Sequence, residues 1–93
     1  MRKYELMTIF PVEEDQFQSG LANVRAILNE YGVEIEKEDI FGERDLCYEV
    51  KNRNRGKFYL FNIKANPAKI IEIDRKFKLD TILMKFMFVR IDE

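Results

Sequence analysis

Two hydrophobic periods alternate along this chain, and their order leaves few folds open. Phe17, Leu21, Val24, Leu28 and Tyr31 recur at steps of four, three, four and three, with Ile27 beside them. That is one face of a helix, read over "VEEDQFQSGLANVRAILNEYG". Glu13, Glu14 and Asp15 suit its positive N-terminus, and Gly32 suits its C-cap. Gly20 inside it costs about 1 kcal/mol against alanine, so close packing is expected there. Before this helix, "RKYELMTIF" reads as a strand that Pro11 ends, since proline has no N–H to give a ladder. After it, "VEIEKEDIFGERDLCYEVK" reads as a long strand or a bent strand pair, with a bulge at Gly42. "NRNRG" reads as a hairpin turn and "KFYLFNIKA" as the third strand. Asn66-Pro67 is a helix start, asparagine as N-cap and proline at the first helical position. Ile70, Ile73 or Asp74, and Phe77 mark the face of this second helix, with Ile71 adjoining, and "ILMKFMFVRI" reads as the last strand.

The order β-α-β-β-α-β is the split βαβ, or ferredoxin-like, plan of the α+β class. It predicts a four-stranded antiparallel sheet with both helices on one face and the first and third strands in the middle. One domain over residues 1–93 is expected, since 93 residues suffice for one core and no linker or repeat interrupts them. Strand parity then sorts the side chains. Leu6, Phe10, Tyr59, Phe61, Ile63, Phe86 and Phe88 are assigned to the helix-covered core. Met7, Ile9, Phe58, Leu60, Met87 and Val89 fall on the open face, a patch of the kind that meets a partner. A homodimer, or cover by the hairpin or a terminus, is the alternative.

The formal net charge is only −1, which excludes a global basic field. Charge is nevertheless uneven. Lys51, Arg53, Arg55 and Lys57 follow the acidic run of Glu34, Glu36, Glu38, Asp39, Glu43 and Asp45. Such a basic loop offers a patch to phosphate, or merely keeps a turn soluble. Cys47 is the only cysteine and there is no histidine, so no disulfide, metal-ligand set or phosphohistidine chemistry is expected. No apolar run reaches the roughly 18 residues of a membrane span, and "MRKYELMTIF" lacks the features of a signal peptide. A cytoplasmic protein without cofactor, membrane or small-molecule substrate is expected. An acylphosphatase-like hydrolase would want cations and backbone donors after the first strand. The loop here, "PVEEDQ", carries three acids instead.

Four segments together are similar to one known family. "MRKYE" looks like an Arg-x-Tyr-Glu opening; Tyr31-Gly32 follows the first helix; "GERDLCYEV" at 42–50 and "FKLDTILMKFMFVR" at 77–90 come next. In that order and spacing, over essentially the whole chain, they resemble bacterial small-subunit ribosomal protein six. Departures are Cys47 for alanine, Glu49 for proline and Met84-Lys85 for a Leu-Arg pair. Lysine keeps the charge of that pair but loses the bidentate fork. The resemblance implies a structural component of the small ribosomal subunit, not an enzyme. It would bind the central domain of small-subunit ribosomal RNA together with small-subunit ribosomal protein eighteen. Carried over by position, Arg2, Tyr4, Arg44, Lys85 and Arg90 are candidates for RNA or partner contact, with Lys51, Arg53, Arg55 and Lys57 as auxiliary RNA contacts. Tyr4 has the parity of a core residue, so burial is equally open. The open-face residues would meet the partner protein.

Two other readings share the fold. "RGKFYLF" faintly echoes the aromatic motif of free-standing RNA-recognition modules, but Lys57 and Phe58 stand where an aromatic and a small residue are wanted. A homo-oligomeric ligand-sensing domain is the other, and its mark would be a stable homodimer.

Overall fold

A computed structural model describes residues 1–91. Asp92 and Glu93, which the reading of one domain over 1–93 includes, lie outside the described residues. The elements are β1 (Arg2–Phe10), α1 (Glu14–Glu30), β2 (Glu34–Val50), β3 (Arg53–Ala65), α2 (Pro67–Lys78) and β4 (Lys85–Arg90). The strands form one antiparallel sheet in the order β2-β3-β1-β4. This is the expected ferredoxin-like split βαβ fold, with β1 and β3 central.

One face of that sheet forms the core. Leu6, Phe10, Phe61, Ile63, Val24, Leu28 and Ile73 are fully buried, and Phe77 nearly so. Tyr59, Phe86 and Phe88 pack against them, with Phe77 and Phe88 stacked at 6.0 Å. The expected core parity therefore holds on all three strands. Gly20 is the close approach between α1 and the sheet: a Cβ there would come within 2.8 Å of the Phe10 ring and 2.9 Å of Ile82. The Asn66 carboxamide accepts from the Ala68 N–H at 3.0 Å and Pro67 opens α2, as expected. Gly42 has φ +87° at a register shift of β2, the conformation a bulge needs.

Three expectations are corrected. The hairpin turn is Lys51-Asn52 rather than "NRNRG", both residues having positive φ, so β3 begins at Arg53. Ile71, read as adjoining the apolar face of α2, is exposed: two residues before the buried Ile73 puts it about 200° round the helix. The last strand begins at Lys85, not Ile82. The Asp80 carboxylate accepts from the N–H groups of Ile82 (2.8 Å) and Leu83 (3.2 Å), which takes those two donors out of the ladder, while the Met84 N–H still reaches the Ile9 carbonyl at 2.9 Å.

Candidate nucleic-acid and partner interface

The early start of β3 changes what its cations do. Arg53 and Lys57 have the parity of Tyr59, Phe61 and Ile63, so they point to the helix side. There they meet the acids of the β1–α1 loop and the first turn of α1. Arg53 lies 2.7 Å from the Glu13 carboxylate. Lys57 is buried, donates to Glu14 at 3.1 Å, and stands 4.2 Å above the Phe17 ring. The Arg53 hydrogen bond holds the Glu13 carboxyl below its usual range, and those of Gln18 and Lys57 do the same for Glu14. Arg55 pairs with Asp45 at 3.2 Å. Lys51 donates to the carbonyls of Leu83 (2.8 Å) and Asp80 (3.3 Å). The cations of the expected basic loop thus each have a partner within the chain, the Arg55–Asp45 pair at the surface and Lys57 buried. For Lys57 the assignment as an RNA contact is corrected outright, since its ammonium is enclosed.

For Tyr4, open between burial and contact, the core alternative holds. Its ring is buried in the core, edge-on to Phe88 at 6.4 Å, and offers no free face for stacking. The other motif cations behave differently. Among the described residues, Arg2, Arg44, Lys85 and Arg75 have no carboxylate partner. All four are exposed. Arg75, in the last turn of α2, is not singled out by sequence; helix charge alone does not reveal which side chain lacks a partner. These cations do not make one patch. Arg90 stands opposite Tyr4, two residues along from Arg2, whereas Lys85 stands opposite Ile9 and Arg44 opposite Gly56. From Arg2 to Ile9 is seven steps along β1, about 23 Å.

The open face is apolar at one end and polar at the other. Across the sheet run the rows Phe58–Ile9–Lys85, Leu60–Met7–Met87 and Asn62–Glu5–Val89. Met87 is 58% exposed and Val89 45%, while Met7, Phe58 and Leu60 are half-buried. Ile9 is buried, which corrects its placement on an accessible surface. Gly56 is the reason: its Cα packs on the Ile9 side chain so closely that a Cβ would collide with it, and Leu46 lies nearby. The tip of the β2–β3 hairpin covers this end of the face. Leu46, Cys47, Tyr48 and Val50 line, together with Met7, Ile9, Phe58 and Met87, an open cleft of about 290 Å³. Lys85 sits at its rim, its ammonium 5.7 Å from the Tyr48 ring. Part of the question of what covers this face therefore has an answer within the chain.

A second polar cluster stands where α1 meets β2. Glu38 accepts from Arg25 at 2.6 Å and from the Tyr59 hydroxyl at 2.7 Å. Burial pushes the Glu38 carboxyl up, but these hydrogen bonds and the Arg25 charge outweigh it and leave it below its usual range. Its partners are all internal, so it fixes β2 to α1 rather than forming a site.

Comparison with known proteins bears on the same residues. The family model described as ribosomal protein S6 matches residues 3–90. The small ribosomal subunit protein bS6 of Treponema denticola is 50% identical over the full length of both chains. That of Treponema pallidum (strain Nichols) is 44% identical over 99% of each. The crystal structure of 30S ribosomal protein S6 from Thermotoga maritima superposes with a TM-score of 0.85 at 22% identity, over 97% of this chain and 87% of that one. The C-terminal domain of the Mycobacterium tuberculosis MgtC protein shares the fold at a TM-score of 0.63 and 7% identity, covering 100% and 90% of the two chains. With the family's pattern running from the first strand to the last over this sheet, the chain belongs to the ribosomal protein S6 family.

Proposed function

We propose that this chain binds the central domain of small-subunit ribosomal RNA together with small-subunit ribosomal protein eighteen. As a member of the S6 family it is a structural component of the bacterial small ribosomal subunit, and so of the cytoplasm, in contact with RNA. The observation that carries the RNA reading is the division among its cations. Arg2, Arg44 and Lys85 are exposed and unneutralised, while Arg53, Arg55 and Lys57 are already paired with Glu13, Asp45 and Glu14. An unpaired arginine meets a phosphate without first breaking an ion pair. Phosphate contacts set register and carry the salt dependence of binding. The exposed Met87 and Val89, beside half-buried Met7 and Leu60, support a dry contact with the partner protein.

Binding of a central-domain RNA fragment across a salt series tests this. Arg2→Ala with Lys85→Ala is expected to weaken binding and to lower the salt slope by about 1 for each phosphate that is no longer neutralised. Arg55→Ala is expected to leave affinity and slope unchanged. An unchanged slope in the double variant, or a reduced one in Arg55→Ala, overturns the assignment.

A further inference from the structure

The end of the β2–β3 hairpin is weakly held by its own backbone. Between the pairs Asp45↔Arg55 and Val50↔Arg53 the ladder is broken by a register shift. The turn places Lys51 at φ +50° and Asn52 at φ +63°. A turn of that kind favours asparagine followed by glycine, and lysine with asparagine fills it poorly. The tip also packs loosely beneath itself, since the 290 Å³ cleft separates it from the sheet and Tyr48 remains 69% exposed.

What holds the tip is reached from its apex. The Lys51 ammonium donates to the Leu83 and Asp80 carbonyls, across the end of β1, on the loop between α2 and β4. Those carbonyls are presented by a turn that the Asp80 carboxylate builds through its bonds to the N–H groups of Ile82 and Leu83. Arg53, on the other side of the turn, reaches Glu13. We propose that residues 46–55 form a releasable strap over the open sheet face, latched by the Lys51 ammonium on the carbonyls of the 80–83 turn. Release lifts Leu46, Tyr48 and Val50 from Met7, Ile9 and Phe58 and widens the apolar surface. The latch belongs to the free chain; its bearing on a partner protein rests on the function proposed above.

Amide hydrogen exchange on the full chain without partner tests it. Lys51→Met keeps the aliphatic stem and removes the charge. It is expected to speed exchange of the 44–55 amides about tenfold, as loss of a partly exposed charge-assisted hydrogen bond implies. Protection of Leu6 and Phe61 stays at the wild-type level. Asp80→Ala, a positioning change, is expected to loosen the same amides through the turn it builds, and Lys51→Arg to restore part of the protection. Wild-type exchange at the tip in Lys51→Met overturns the latch, as does an increase spread evenly over the sheet. No partner is present in this measurement, so its failure leaves the interface reading intact, and failure to bind small-subunit ribosomal protein eighteen leaves the latch intact.

Discussion

The two faces of β3 show how differently one strand can be served by its own chain. On the helix side every odd residue from Arg53 to Ile63 except Arg55 meets α1 or the core: Arg53 and Lys57 find acids, and Tyr59, Phe61 and Ile63 find apolar neighbours. On the other side Gly56 and Phe58 meet the hairpin tip, and Leu60 and Asn62 are half-buried. The lesson concerns charge as much as apolar area. A cation on the covered face is a structural part with a counterion supplied from a distant stretch of chain. Arg2, Arg44 and Lys85, by contrast, are exposed and have no carboxylate partner among the described residues.

The sharpest way to break this comparison is to remove a covered side chain. Phe61→Ala is expected to cost about 3–5 kcal/mol in denaturant unfolding, because Phe61 is fully buried and the cavity cannot collapse completely. A cost below about 1 kcal/mol puts the core on the other face. Lys57→Met comes next. Losing the enclosed cation over Phe17 is expected to cost about 1–2 kcal/mol. RNA binding and its salt slope stay as they are. A fall in RNA affinity without loss of stability returns Lys57 to the interface.

Acid sharpens the comparison further. Glu38 has its folded pKa held below the unfolded value of about 4.3. Its contribution is therefore present above that pH and is lost as pH falls through the lower folded value. Glu38→Gln is expected to flatten the stability profile on that acid limb and to leave the slope near neutrality unchanged. An identical acid limb means that the Arg25–Glu38–Tyr59 cluster does not stabilise the fold. The smallest effect on the isolated chain belongs to Met87→Asp, expected within about 0.5 kcal/mol of wild type because Met87 is 58% exposed. The same variant is expected to lose capture of purified small-subunit ribosomal protein eighteen. Unfolding by Met87→Asp, or undiminished capture, places the partner elsewhere. Phe58, half-buried under the hairpin, is the less clean probe of that face.

Much of this is legible in residue order alone. The step of four and three from Phe17 to Tyr31 admits only a helix, and Asn66-Pro67 carries its own capping chemistry. Parity assigns the core on β1, β3 and β4 because a strand has a fixed period of two. The hairpin turn is hidden because "NRNRG" has turn composition, while the actual turn, Lys51-Asn52, lacks the glycine that would mark it. That shift of the strand's start gives the cations of a basic loop partners within the chain. Ile82 to Met84 read as strand because their side chains are apolar; the competing acceptor, Asp80, is visible in sequence, but its capture of two N–H groups is not.

By itself the sequence determined the element order, the helix-side core and, through four motifs in register, the family. These follow from local periods, caps and turn residues, whose physics acts over a few residues. Only the tertiary structure decided which cations are already neutralised. Glu13 lies 40 residues from Arg53 and Glu14 43 from Lys57, and a composition count cannot distinguish a paired lysine from a free one. It also decided that Tyr4 and Ile9 are enclosed while Met87 and Val89 are not, although all four obey strand parity. Parity selects a face. Whether that face is wet depends on what folds across it, and here the hairpin tip, tied by Lys51 to the loop before β4, lies over the end that holds Ile9.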